Sequence, residues 1–160
     1  MFARYFVELA GDRHAIEHVV LDAPGSWLPS LAASANHRGD RLLAEVGFGD
    51  DVRIARTVAI TVGTPTRMPT KTTIPLGWSA SGPAGMFPAL DADLEIAPLE
   101  DGRCQLAISA RYEPPLGAVG RAIDRAVLAR VAEATLKDFL DRVRDSVARR
   151  VSDAPTPARG

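Results

Sequence analysis

The chain has 160 residues, of which 46% are hydrophobic and 24% are charged, and its formal net charge is −1. This length supports one domain with a hydrophobic core and is short for two. With 19 basic and 20 acidic residues, the chain lacks a broad positive field that could hold DNA or RNA. Cys104 is the only cysteine, which excludes an intrachain disulfide and a thiolate cluster for zinc.

The N-terminal segment does not have the pattern of a secretion signal, because Glu8, Asp12 and Arg13 interrupt any apolar stretch. No apolar run approaches the roughly 20 residues that cross a bilayer. We therefore expect a cytoplasmic protein without a transmembrane segment, and with neither a metal nor a cofactor.

The first part of the chain predicts a strand followed by two short helices. Residues 2–9 mix aromatic and β-branched side chains, which favours a strand. Asp12 is a suitable N-cap for a helix that ends near Leu21, and Ser26 for a second short helix. Residues 36–40 then form a polar turn.

From residue 41 the apolar side chains recur with a period of two, which is typical of strands with one buried face. The segments with this alternation are 42–48, 52–62, 74–80, 90–96 and 104–112. They predict a one-sided antiparallel meander, which makes six strands with the first. A seventh strand would lie within 64–73 or arise from a break in 52–62.

An acidic stripe, Asp91, Asp93 and Glu95, alternates with the apolar residues of the fifth predicted strand. The alternation places these carboxylates on the solvated face, where they can pair with Arg103 or Arg111 on the next strand. We interpret them as surface charges and not as paired catalytic acids.

The C-terminal part predicts a long helix that covers the apolar face of the sheet. One side of this helix carries Leu128, Ala132, Leu136, Phe139, Leu140, Val143 and Val147. The preceding segment, 116–127, has its apolar residues on nearly the opposite side. Either a kink within 124–130 turns this segment, or its apolar side contacts a loop, a ligand or a partner. We expect one domain, 1–151, and a flexible tail, 152–160.

The element order, and local sequences such as 26–29, 74–78, 87–88, 112–117 and 130–135, resemble the helix-grip fold of the SRPBCC superfamily. This superfamily includes START-like lipid-transfer domains and polyketide cyclase/dehydrase-like proteins, and the resemblance is to a bacterial branch. It implies an α+β fold in which a curved antiparallel sheet of six to seven strands wraps around the C-terminal helix. It also implies an apolar cavity between the sheet and that helix.

Arg56 is in phase with the inward residues Val52, Ile54 and Val58. A buried guanidinium needs an acidic partner or an anionic ligand group, and Glu45 is a candidate partner. The alternative is that a β-bulge or a position at the sheet rim brings Arg56 to solvent.

Trp78 and Tyr112 are inward aromatic residues, each with one polar group on an apolar body. Together with Ile74 they could form one wall of a ligand pocket, and Leu136 and Phe139 of the helix the opposite wall. The interpretation that we prefer is that the same residues form an ordinary core without a ligand.

His14, Glu17 and His18 match the H-x-x-E-H arrangement of inverted zinc peptidases. A catalytic zinc needs a third protein ligand, and no clear candidate exists, so we interpret these histidines as surface residues of an amphipathic helix. The segment Gly77–Gly82 is not a G-x-S-x-G nucleophile motif, and Cys104 is expected to be buried.

The leading hypothesis is a binder or carrier of an apolar or amphipathic small molecule of the lipid, isoprenoid or polyketide class. An alternative is a cyclase/dehydratase-type enzyme whose acid or base would be Arg56, Glu45, Tyr112 or Glu8. A further alternative is an interaction module that uses residues 116–127, with weak peripheral contact to an anionic membrane. The sequence predicts no oligomeric state.

Overall fold

A computed structural model describes residues 2–45, 58–80, 90–112 and 125–154. In chain order the elements are β1 (Phe2–Ala10), α1 (Arg13–Leu21), α2 (Pro24–Glu45), β2 (Val58–Val62), β3 (Thr66–Arg67), β4 (Thr72–Ala80), β5 (Leu90–Pro98), a 3-10 turn (Glu100–Gly102), β6 (Arg103–Tyr112) and α3 (Arg125–Asp153). These elements form an α+β fold in which a curved sheet is covered by the C-terminal helix.

The sheet is antiparallel, with the order β1-β6-β5-β4-β2, and β3 pairs with the start of β4. The predicted strands at 2–9, 74–80, 90–96 and 104–112 are confirmed as β1, β4, β5 and β6. The short strand β3 lies inside the 64–73 segment, one of the two places proposed for an additional strand. Of the predicted strand 52–62, the described part is β2, and residues 52–57 lie outside the described ranges.

The period-two pattern correctly predicts which side chains face the core. In β5 the burial alternates strictly from Leu90 to Ile96, with Asp91 and Asp93 exposed on the outer face. The third acidic residue, Glu95, pairs with Arg4 of β1 at 3.1 Å and with Lys71 at 2.5 Å. Arg103, one of the two expected partners, pairs instead with Glu8 of β1 at 2.7 Å.

Helix α1 begins as predicted, because the Asp12 carboxylate accepts a hydrogen bond from the amide of Ala15 at 3.0 Å. The second helix differs from the prediction: α2 has 22 residues and is not short. It begins at Pro24, a residue that suits the first turn. Ser26 does not act as its N-cap, since its hydroxyl donates to the carbonyl of Ala23 at 2.7 Å.

The predicted turn at 36–40 and the start of the predicted strand 42–48 are wrong, because α2 continues through Glu45. The physical reason is a stripe of apolar and small residues at helical spacing: Leu28, Ala32, Ala35, Gly39 and Leu42. At Gly39, α2 approaches α3 so closely that a Cβ atom would lie 2.5 Å from Thr135 Oγ1. Gly39, which lies in the segment predicted to be a turn, therefore permits the close packing of α2 on α3.

Helix α3 has 29 residues and contributes its apolar face to the core. Its buried face is the predicted one, with Leu136, Phe139, Leu140, Val143 and Val147 at most 1% exposed. The described part of the segment 116–127 is limited to 125–127, in the first turn of α3. Residues 125–130 of the segment in which a kink was expected lie within α3, whereas residues 116–124 and the end of the tail lie outside the described residues.

Candidate functional site

Three inward side chains, two of them aromatic, form a row at one end of the sheet, which we call the aromatic row. Trp78 of β4 is paired with Leu90 of β5, and Leu90 is paired with Tyr112 of β6. Alternation along each strand turns all three toward α3. They lie at or near the ends of their strands, where the chain leaves the sheet.

Helix α3 covers this row. The rings of Trp78 and Phe139 are in edge-to-face contact, with centroids 5.1 Å apart and planes at 66°, a favoured geometry for an aromatic pair. Phe139 is fully buried and Leu136 is 1% exposed. Of the residues predicted to bind a ligand, the structure therefore joins Trp78 and Phe139 directly and places Tyr112 in the same row.

Ile74 lies four residues further along β4, roughly 13 Å from Trp78 at strand spacing. It belongs to a second row, in which it pairs with Leu94, and Leu94 with Ile108. The members of this second row are 0% exposed, whereas Trp78, Leu90 and Tyr112 are 5%, 8% and 4% exposed. Both rows are therefore buried, and the second row slightly more completely than the row of Trp78.

The two tryptophans of the chain differ in the hydrogen bonding of their indole N–H groups. Trp27, the other tryptophan, donates its Nε1–H to the carbonyl of Asp22 at 3.3 Å. No hydrogen bond joins Trp78 Nε1 to another residue of the described ranges, although the side chain is almost completely buried. Buried N–H groups are usually paired with an acceptor, so this donor is available to a polar group of a bound molecule.

Tyr112 supplies the second polar group of the row. Burial raises the pKa of its phenol above the ordinary value, and the negative charge of Glu133 on α3 raises this pKa further. The phenol therefore keeps its proton at neutral pH, and it is a weaker acid than an exposed tyrosine.

Arg56 lies outside the described residues, so its orientation stays a prediction. Glu45 is the last residue of α2, whereas the sequence predicted that it lies in a strand. Glu45 was chosen as a partner for Arg56 because the two were expected on neighbouring strands, and this expectation is wrong for Glu45.

The H-x-x-E-H sequence does not form a metal site of the peptidase type. His14 and His18 are exposed on α1, whereas Glu17 is buried. The Glu17 carboxylate is engaged by the guanidinium of Arg67 on β3 and by the hydroxyl of Thr72 at 3.0 Å. Glu17 thus attaches α1 to the β3–β4 hairpin.

Cys104 is buried as predicted. Burial, and to a smaller extent the negative charge of Asp12, raises the pKa of its thiol.

Sequence reasoning missed a trough of about 500 Å³ on the outer face of the sheet. It is lined by Phe2, Thr61, Gly63, Pro75, Leu76, Gly77, Asp91, Ala92, Asp93, Ser109 and Arg111. Two of its positions are glycines in close contacts: a Cβ atom at Gly77 would collide with Thr61 Oγ1, and one at Gly63, directly after β2, would lie 3.0 Å from Pro75. With two carboxylates and a guanidinium in its lining, the trough differs from the mostly apolar sites that bind hydrophobic molecules.

No protein-family model matches the chain, and no curated protein matches it. The fold is similar to that of a conserved protein from Geobacillus kaustophilus, with 18% identity, a TM-score of 0.56, and 93% of this chain and 96% of that chain covered. It is also similar to the Zhui aromatase/cyclase from Streptomyces sp. R1128, with 13% identity, a TM-score of 0.53, and 97% of this chain and 98% of that chain covered. At these identities the likeness concerns the fold alone, and the predicted helix-grip fold, a curved antiparallel sheet around a long C-terminal helix, is confirmed.

Among the helices of the described ranges, none is both long and apolar enough to cross a membrane.

Proposed function

We propose that the chain binds or carries an apolar or amphipathic small molecule of the lipid, isoprenoid or polyketide class. The site lies between the sheet and α3, at the end marked by Trp78, Leu90 and Tyr112. The observation that carries the proposal is the buried indole of Trp78 at this end. Its ring contacts Phe139 of α3, and its N–H has no acceptor among the described residues.

The arrangement suits a ligand with an apolar body and one polar acceptor. Trp78 and Phe139 provide apolar surface, which supplies most of the affinity for such molecules. The Trp78 N–H would orient the polar end.

Two fluorescent probes test this proposal by titration. Anilinonaphthalene sulfonate has a sulfonate that can accept a hydrogen bond, whereas diphenylhexatriene is a pure hydrocarbon. Both should bind the wild-type protein in a saturable manner. Trp78→Phe should weaken binding of the sulfonate probe by about two- to tenfold, the contribution of one net hydrogen bond. It should affect the hydrocarbon probe less, because phenylalanine keeps an aromatic face.

Trp27→Phe is the matched control, because Trp27 is 6% exposed but its N–H is already bonded within the chain. This control should leave both affinities unchanged once the fold is verified by circular dichroism. The proposal fails if neither probe binds saturably, or if both tryptophan variants change both affinities equally.

A second candidate function, ring closure of a linear polyketide, is supported by the fold likeness to an aromatase/cyclase. In that case the phenol of Tyr112, which lies beside Leu90 in the row of Trp78, would act as a general acid toward a carbonyl oxygen. Incubation with a synthetic poly-β-ketone and chromatography of the products distinguishes the two functions. A cyclised product that Tyr112→Phe abolishes, with probe binding retained, would favour the enzyme over the carrier.

A further inference from the structure

The outer face of the edge strand β1 carries two exposed phenylalanines. Phe2 is 64% exposed and Phe6 is 57% exposed, and with Met68 they are the exposed large hydrophobic residues of the described ranges. Arg4 and Glu8 alternate with them on the same face. Among the described strands, only β6 pairs with β1, so the other edge of β1 lies at the end of the sheet.

The outer face of β1 is complementary to the outer face of a second, antiparallel copy of β1. Strand β1 has nine residues, Phe2–Ala10, and Phe6 is its midpoint. An antiparallel copy related by a twofold axis at Phe6 would therefore overlap the whole strand. Phe6 would lie opposite Phe6 of the copy, and Arg4 of each chain opposite Glu8 of the other, a favourable cross-strand pair.

Other registers that keep the two outer faces together do not match the charges. An axis at Arg4 brings two arginines together, and one at Glu8 brings two glutamates together. An axis at Tyr5 places Arg4 opposite Phe6, and one at Val7 places Glu8 opposite Phe6. Only the axis at Phe6 pairs both charges with opposite charges and joins the two exposed aromatic rings.

We propose that two copies of this chain associate through β1 in this register and form one continuous sheet across a twofold axis. Strand addition supplies main-chain hydrogen bonds, and the side-chain order fixes the register. Phe6 would be covered at the centre of the interface, which accounts for its exposure in the isolated chain.

The ion pairs within one chain do not oppose this association. Arg4 is 54% exposed at its side chain and pairs with Glu95, and Glu8 is 46% exposed and pairs with Arg103. Exposed pairs of this kind contribute little to stability. A guanidinium has five N–H donors, so Arg4 can contact Glu95 and Glu8 of the second copy together.

Charge reversal tests the register. By sedimentation velocity over a dilution series, the wild type should reach twice the mass of the chain. Arg4→Glu and Glu8→Arg should each raise the dissociation constant of the dimer by about tenfold or more, because each creates two contacts between like charges. The double variant restores opposite charges and should return to within about threefold of the wild type.

The double variant also separates this explanation from damage inside one chain. It loses both the Arg4–Glu95 and the Glu8–Arg103 ion pairs, so an intrachain effect would make it worse than either single variant. Phe6→Ser should give a folded monomer, whereas Met68→Ser, a matched exposed apolar position on the β3–β4 turn, should stay dimeric.

Three results would overturn the proposal. The wild type could stay monomeric at the highest concentration reached. The double variant could dimerise no better than the weaker single variant. The wild type could be monomeric while Phe6→Ser loses binding to phosphatidylglycerol vesicles, which would assign Phe6 to a membrane surface instead of a second copy.

Discussion

The contact between α2 and α3 at Gly39 gives the sharpest test of the packing. A methyl group at Gly39 would lie 2.5 Å from Thr135 Oγ1 and 3.5 Å from Val131 Cγ1. The hydroxyl is held in place because it donates to the carbonyl of Val131 at 2.8 Å, and threonine has few side-chain rotamers. Gly39→Ala therefore forces either the rotamer or the helix to move.

The magnitude follows from two opposing effects. Overpacking of this kind costs about 1–3 kcal/mol, and replacing a helical glycine by alanine gains about 1 kcal/mol. Gly39→Ala alone should therefore lower the free energy of unfolding by roughly 0–2 kcal/mol. In a Thr135→Ala background the remaining contact, to Val131, has an ordinary distance. There, the same change should raise the free energy of unfolding by up to about 1 kcal/mol.

Urea unfolding of the four proteins in this double-mutant cycle measures the coupling, which should be about 1–3 kcal/mol. Gly25→Ala is the matched control in the same helix, because a Cβ atom there meets nothing within 4 Å. This control should have the same small effect in both backgrounds. Equal effects of Gly39→Ala in the two backgrounds would refute the close contact between α2 and α3.

Three further predictions concern polar groups in or near the core. Thr72→Val removes the donor to the buried Glu17 carboxylate and should lower the free energy of unfolding by about 1–3 kcal/mol in a urea titration; a loss below the error would show that Glu17 is solvated. Cys104 should react with a disulfide reagent at pH 8 only as fast as the protein unfolds, because burial raises its pKa and blocks access. Immediate labelling of the thiol in native buffer would contradict its buried placement. Burial and Glu133 raise the pKa of Tyr112, so the native state keeps this proton when the unfolded state loses it. Stability should therefore fall as the pH rises above about 10, and part of that fall, measured by thermal unfolding, should disappear in Tyr112→Phe; an unchanged pH profile would refute the shift.

The strands were predictable because alternation of side chains on a pleated strand is local. Asp91 and Asp93 had to face solvent if Leu90, Ala92 and Leu94 faced the core, and the structure has this arrangement. The same logic placed Trp78 and Tyr112 on the inner face. Which residues touch across the core is not local, and the contact between Trp78 and Phe139 depends on how α3 crosses the sheet.

Helix α2 shows where local reasoning failed. Gly39 and Asp40 follow a polar segment and have the composition of a turn, and Leu42 and Ala44 begin an alternation too short to distinguish a strand from a helix. The decisive interaction is the packing of Gly39 on Thr135, almost a hundred residues away in sequence. Likewise, Glu17 has the pattern of a surface or catalytic residue in its own helix, and its partners Arg67 and Thr72 come from a distant hairpin.

The most direct test of the proposed function is native mass spectrometry of the freshly purified protein, followed by solvent extraction and identification of what is released. The account predicts one apolar or amphipathic molecule per chain in the wild type, retained in Trp27→Phe and reduced in Trp78→Ala. A mass equal to that of the bare chain, together with no uptake of either fluorescent probe, would mean that side chains fill the space beside Trp78 and would contradict the proposed binding site.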